Sequence, residues 1–403
     1  MLSASQKNKG ETTEPERLSV LKQFNESSRK GWERVPEKDW QDWRWQMRHR
    51  LRSLQELAEF SGRKDLLGEQ SVVSEDWKLF PVSLTPYLTT LIDWENPRDP
   101  VGIQFIPSRQ ESHILPIESL DPCSEEPYTV VPGLVHRYPD RVLLLASNHC
   151  PAYCRHCTRS RLVGADELLH SAEMCCGDAI QTQLDYIRAH TKIRDVLVSG
   201  GDPLLLSDHK LEELLRNLRS ISHVEILRIG TRVPITLPQR VTEECVSMLQ
   251  KFHPLYVNIQ CNHPNELTLV SRAALERLAN AGIPLGNQSV LLRGVNDDPT
   301  VMTALVQKLL ICRVRPYYLY QCDLVCGTSH LRVPAEEGVR LIGALRGFTS
   351  GFAVPEFVID VPGGGKIPFT HETMIGESGD QLLLKNYEGK QVTYPRSAVE
   401  LNP

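Results

Sequence analysis

No stretch of the 403 residues is apolar over a length that could cross a bilayer. The opening run Met1-Leu-Ser-Ala-Ser-Gln-Lys-Asn-Lys-Gly-Glu11 also has no apolar centre of the kind a secretory leader carries. The expectation is a chain that works in a reducing cytoplasm, where eleven cysteines need not form disulfides. An excess of charge of one sign is lacking as well. A net charge of −5 with 41% hydrophobic residues gives no whole-chain argument for nucleic acid or a membrane as partner. The chain has no internal repeat and no low-complexity tract. It also has no second C-x2-C pair of the sort that closes a tetrahedral zinc site.

What is present begins with Cys150, Cys154 and Cys157, in the run His149-Cys-Pro-Ala-Tyr-Cys-Arg-His-Cys-Thr158. C-x3-C-x2-C offers three ligands to an iron–sulfur cube that has four corners, and the open corner can bind a small molecule. On spacing alone a zinc knuckle or a packed loop stays open. The triad follows Arg141-Val-Leu-Leu-Leu-Ala-Ser147, an apolar strand pattern, so it sits on a loop at the C-terminal end of a strand. In α/β barrels that end carries the chemistry. Further on, Val196-Leu-Val-Ser-Gly-Gly-Asp-Pro203 reads as a strand followed by a turn whose glycines admit close backbone approach. A third feature is Asp360-Val-Pro-Gly-Gly-Gly-Lys-Ile-Pro368. A phosphate-binding loop would continue into a helix, which Ile367-Pro368 forbids. A lysine on a glycine run can instead bring its amine to an aldehyde.

The cysteine triad, with His156 in the aromatic slot, and Gly200-Gly-Asp202 resemble the radical S-adenosylmethionine superfamily. Together with Lys366 the chain resembles the lysine 2,3-aminomutase family. The similarity runs from Asp39-Trp-Gln-Asp-Trp-Arg-Trp-Gln46 through Gly133-Leu-Val-His-Arg-Tyr-Pro-Asp-Arg141, Asn287-Gln-Ser289 and Tyr317-Tyr-Leu-Tyr-Gln-Cys-Asp323 to Arg346-Gly-Phe-Thr-Ser-Gly351. The resemblance implies a [4Fe–4S] cluster on Cys150, Cys154 and Cys157, with S-adenosyl-L-methionine near Gly200, Gly201, Asp202 and Gln288. It implies pyridoxal 5′-phosphate on Lys366 with Arg137, Tyr138 and Arg141 around it. Arg159 would take the substrate α-carboxylate, and Asp323 with Asp360 the side-chain ammonium. The activity implied is radical 1,2-amino migration, L-lysine to β-lysine, with arginine as alternative substrate. Less favoured alternatives are a radical enzyme without pyridoxal phosphate and a non-catalytic iron–sulfur module. An amino acid substrate, an external one-electron reductant of flavodoxin or ferredoxin type and a homo-oligomer are expected, with no nucleic acid or membrane partner.

Three departures stand out. The glycine run before Lys366 has three glycines where the family has four. Gln260 stands where a histidine is usual. The cysteine-rich zinc tail is missing, so no structural zinc is expected.

The expected architecture is α/β, an open (βα)6 partial barrel with an N-terminal helical extension and a small C-terminal segment, divided 1–125, 126–345 and 346–403. Strands are expected at Val142–Ala146, Asp195–Ser199, Val224–Gly230, Leu255–Gln260, Leu285–Leu291 and Pro316–Tyr320, with helices such as Lys210–Leu218 and Val241–Lys251 between them. The spacing of Trp40, Trp43, Met47, Leu51, Leu54, Leu57 and Ala58 predicts one helix over 40–60. Pro81 to Pro132 reads as a connector. Lys366 to Pro403 reads as a small β-rich lid or tail, with its clearest strand and turn at Gln381–Gly389. Cys123, Cys175, Cys176, Cys245, Cys261, Cys312, Cys322 and Cys326 are expected to be free, mostly packed thiols.

Overall fold

A computed structural model of the chain describes residues 24, 29–72, 81–163 and 177–396. Ten strands form one sheet in sequence order: β1 (Thr129–Val131), β2 (Leu134–Tyr138), β3 (Arg141–Ser147), β4 (Asp195–Gly200), β5 (Ile226–Thr231), β6 (Leu255–Ile259), β7 (Leu285–Leu291), β8 (Val314–Gln321), β9 (Glu356–Val361) and β10 (Gly365–Pro368). From β3 to β9 every neighbour is parallel. The additions at each edge, β1–β2–β3 and β9–β10, are antiparallel. The sheet curls without its two edge strands pairing. All six expected strands are present. The sheet also holds a seventh parallel strand, β9, with the sequence Glu-Phe-Val-Ile-Asp-Val, beyond the six expected.

Period-two alternation gives the sheet its two faces. Val196, Val198, Leu227, Ile229, Leu255 and Val257 are fully buried against the outer helices. Their neighbours Leu197, Ser199, Arg228, Gly230, Tyr256 and Asn258 face a central cavity. The helix Asp208–Arg219 shows how the outer layer forms. Leu211, Leu214, Leu215 and Leu218 make an i, i+3, i+4, i+7 stripe, and the Ser207 hydroxyl accepts from the Lys210 amide at the N-terminus.

The N-terminal extension differs from the single helix expected. It is three short helices, Glu37–Gln41, Trp43–Arg48 and Leu54–Ser61. Asp42 adopts an extended conformation and caps the second helix, Leu51 pairs as a strand with Leu84, and Ser53 starts the third helix with a capping box. The spacing was helical, but these local hydrogen bonds interrupt it. Leu54, Leu57, Leu84, Leu88 and Phe105 make a second core that includes Ala152 of the cysteine loop, so this extension braces the loop. Lys366 lies in the main sheet rather than in a separate C-terminal lid or tail. Beyond it, β11 (Met374–Ser378), β12 (Gln381–Lys385) and β13 (Gln391–Pro395) form a separate three-stranded sheet.

Candidate active site

Inside the curled sheet is a cavity of about 1260 Å³. Every site residue expected from the sequence lines it: Arg137, Tyr138 and Arg141 from β2–β3, Cys150, Cys154, Cys157 and Arg159 from the loop after β3, Gly200 at the end of β4 with Gly201 and Asp202 after it, Gln288 on β7, Asp323 after β8, Asp360 on β9 and Lys366 on β10.

The cysteine loop is held from outside the barrel. Arg50 Nη1 donates to the Cys150 carbonyl at 3.0 Å, the Tyr153 amide to Ser83 O at 3.0 Å and the Arg155 amide to Gln104 O at 2.8 Å. The Arg155 side chain, between the last two cysteines, is buried against Glu111, with Nε to Oε1 at 2.9 Å. The glycine turn closes against the same loop. A Cβ on Gly200 would lie 2.2 Å from Ser147 O and one on Gly201 2.4 Å from His149 O, so only glycine permits this contact. Asp202 does not present a free carboxylate to the cavity. Its oxygens accept from Thr231 Oγ1 at 2.7 and 2.8 Å and from the amides of Arg232 and Val233 at 2.8 and 3.1 Å, tying β4 to β5. Burial nevertheless raises its pKa to about 6.

Burial also pushes the Cys150 thiol well above its ordinary value and the Cys157 thiol to about 11. Among the described residues no three His, Cys, Asp or Glu side chains converge on a single-ion position. Cys150, Cys154 and Cys157 all line the cavity. Cys154 Sγ already accepts a hydrogen bond, from Arg232 Nη1 at 2.7 Å.

Lys366 stands opposite Asp360 across the β9–β10 hairpin. Its Nζ donates to Asp360 Oδ2 at 2.6 Å, while Arg137 Nη1 reaches Oδ1 at 3.3 Å. The Asp360 carboxylate holds the Lys366 amine well above its ordinary pKa, against the opposing effect of burial. The three-glycine turn suffices for this reach. Gly363 and Gly365 have φ of 71° and 83°, and the Lys366 amide donates to Tyr138 Oη at 2.9 Å. The guanidinium of Arg141 lies 4.4 Å from the Tyr138 ring centre and that of Arg137 4.8 Å from the Tyr128 ring. Arg137 Nη2 is buried without a hydrogen-bond partner, an unmet donor of the kind a phosphate oxygen satisfies.

The two carboxylates differ in their partners, because Asp360 is neutralised by Lys366 and Arg137. Asp323 is the unmet one. Its Oδ1 is buried without a partner, and burial, followed by the nearby Asp360 charge, raises its pKa above the carboxylate range. Arg159 is occupied as well, with Nε and Nη2 in a fork on Glu125 at 3.1 and 2.6 Å. Gln288 Nε2 donates to Tyr320 Oη at 3.3 Å.

Glu125 and Tyr320 had not been singled out. Tyr320 could have been found from the alternation Tyr318, Tyr320 on β8, which faces it inward. Glu125, in Ser-Glu-Glu-Pro, carries no such signal. Cys123 is free as expected and borders the cavity. Cys245, Cys261, Cys312 and Cys322 are free and buried as expected, Cys326 is free and half-buried, and Cys175 and Cys176 lie outside the described residues.

A cysteine triad and a Gly-Gly-Asp turn at the mouth of an open parallel barrel define a radical S-adenosylmethionine fold, and residues 144–305 match the family described as Radical SAM superfamily. Residues 342–400 match the family described as Lysine-2,3-aminomutase. The L-lysine 2,3-aminomutase of Clostridium subterminale is 49% identical over 361 residues, 89% of this chain and 85% of that protein. That of Bacillus subtilis is 44% identical over 365 residues, 90% of this chain and 76% of that protein. A glutamate 2,3-aminomutase of Clostridioides difficile is 41% identical over 358 residues, 88% of this chain and 83% of that protein. The chain belongs to the lysine 2,3-aminomutase family. It is an isomerase that uses a [4Fe–4S] cluster, S-adenosylmethionine and pyridoxal 5′-phosphate, and the thiols, the unmet Arg137 donor and the reach of Lys366 fit those groups. Among the described residues no helix is long and apolar enough to cross a membrane.

Proposed function

We propose that the chain converts L-lysine to β-lysine by moving the amino group from C2 to C3, with arginine as the alternative substrate. The observation that carries this reading is Asp323, half-buried in the cavity that also holds Lys366 and the cysteine triad, with a buried Oδ1 that has no partner. A buried unpaired carboxylate costs several kcal/mol unless a cation meets it, on the order of 3–5 kcal/mol in broken buried pairs. The side-chain ammonium of lysine is such a cation. With Lys366 holding the cofactor, Asp360 would keep Arg137 alone and its Oδ2 would be open as a second acceptor for that ammonium.

In this reading Cys150, Cys154 and Cys157 hold the cluster, and the Gly200–Asp202 turn with Gln288 borders S-adenosylmethionine. Arg137, Tyr138 and Arg141 hold the pyridoxal phosphate. Bound there, the cofactors supply a hydrogen-abstracting radical and a conjugated system across which nitrogen can shift. The protein's part is placement. Arg159 receives the α-carboxylate through its third nitrogen or by exchange with Glu125, while Asp323 fixes the far end, so the β-carbon is set near the abstracting group. We also assign the enzyme to the cytoplasm, as a homo-oligomer reduced by a flavodoxin or ferredoxin. The test is kcat/KM of anaerobically reconstituted enzyme for lysine, arginine, ornithine and glutamate. A cationic amino acid should lead by orders of magnitude, and equal use of glutamate would contradict the reading.

A further inference from the structure

Arg232, in the turn after β5, is fixed at both ends. Its amide donates to Asp202 Oδ2 at 2.8 Å. Its guanidinium lies 4.5 Å from the Phe105 ring centre, and Nη2 donates to Gln104 Oε1 at 2.5 Å and Glu266 Oε2 at 2.8 Å. The remaining amine, Nη1, donates to Cys154 Sγ. Glu266 is fully buried and is itself held. Its Oε1 accepts from the amides of Asn262 and His263 at 3.0 and 2.7 Å and from Gln104 Nε2 at 3.1 Å. An ion pair from the turns after β5 and β6 therefore ends on one sulfur of the triad.

We infer that Arg232 is a positioning residue that tunes the reduction potential of the cluster through this hydrogen bond, with Glu266 moderating its charge. The inference rests on the triad holding a cluster, as proposed above. Reduction adds one electron to the cluster, taken from an external one-electron donor, with no bond made or broken. The added negative charge is spread over the sulfurs. A charge-assisted donor to a ligand sulfur favours the reduced form, and hydrogen bonds to sulfur are among the levers that set such potentials. Glu266 sits behind the same guanidinium and opposes it, so the two charges should act on the potential with opposite sign.

The experiment is a redox titration of reconstituted holoenzyme, without S-adenosylmethionine or substrate, read by the electron paramagnetic resonance signal of the reduced cluster. Iron and sulfide content are measured first, and a wild-type chain that binds no cluster contradicts the triad assignment itself. In loaded protein, Arg232→Gln should lower the ratio of reduced to oxidised cluster at fixed potential by roughly tenfold, about 59 mV for one electron. Glu266→Gln should raise it, and Arg232→Lys should fall between wild type and Arg232→Gln. A residue that only supports the fold would alter cluster content, but it would not move the two potentials in opposite directions. If Arg232→Gln fails to load, the upward shift of Glu266→Gln and the small downward shift of Arg232→Lys decide alone. Potentials unchanged from wild type, or moving the same way in Arg232→Gln and Glu266→Gln, overturn the inference.

Discussion

Removing the carboxylate of Glu111 should loosen the cysteine loop from outside the cavity. Glu111 and Arg155 form a buried pair, with side-chain exposures of 8% and 1%. Glu111→Ala takes away both bonds that Arg155 donates to the carboxylate and also the bond from the Ser108 amide to Glu111 Oε1 at 3.1 Å. Breaking a buried pair from one side costs about 3–5 kcal/mol. At about 1.4 kcal/mol per tenfold, that raises local opening of the loop by roughly two to three and a half orders of magnitude. The assay is the rate at which a thiol reagent modifies Cys150, Cys154 and Cys157 in cluster-free protein, resolved by peptide mass spectrometry, with buried Cys245 as internal control. All three sites should speed up while Cys245 does not. The double variant Glu111→Leu with Arg155→Met, which fills the space without charge, should recover much of the protection. Unchanged reactivity in Glu111→Ala, together with an unchanged unfolding midpoint, would refute the claim that this pair anchors the loop.

Cys150→Ala, Cys154→Ala and Cys157→Ala should each lose the reducible cluster and 5′-deoxyadenosine formation, and retention of both in any one of them would remove that cysteine from the ligand set. Lys366→Ala should keep the cluster, lose the cofactor adduct trapped by borohydride and lose turnover by orders of magnitude; unchanged borohydride labelling would place the adduct on another lysine. Asp323→Asn should raise KM for lysine far more than it changes cleavage of S-adenosylmethionine. Because burial raises the Asp323 pKa, the wild-type carboxylate takes up a proton, and affinity for a cation weakens, on acidification above the pH at which an ordinary carboxylate protonates. By the same sign, the raised pKa makes the folded chain bind the proton more tightly than the unfolded one, so this group's contribution to stability falls as pH rises through the interval between the two values. An acid limb of KM that persists unchanged in Asp323→Asn would contradict this.

The parts of the site legible in the sequence are those written in short spacings. The cysteine triad, the Gly-Gly-Asp turn and the glycine-run lysine each depend on residues within a few positions of one another, and the six barrel strands carried apolar runs bounded by turns. What escaped is set by long-range contact. Arg159 and Glu125 are 34 residues apart and Arg232 and Cys154 are 78 apart, so no local pattern announces either pair. The Asp360–Lys366 pair lies between these cases. Residues 361–365 form a tight hairpin that places the two directly opposite, and a reading of the glycines as a turn between strands could have found it. The helix expected over 40–60 failed because Asp42 and Ser53 offer the backbone caps that compete with a continuous ladder.

The most direct test of the central claim is to supply lysine carrying deuterium on C3 to reconstituted enzyme with S-adenosylmethionine, pyridoxal phosphate and dithionite under anaerobic conditions. The product and 5′-deoxyadenosine are then analysed by mass spectrometry. The account expects β-lysine with deuterium carried to C2, and deuterium in the recovered 5′-deoxyadenosine. Formation of 5′-deoxyadenosine without any β-lysine, or β-lysine formed with no deuterium passing through the adenosyl carbon, would contradict it.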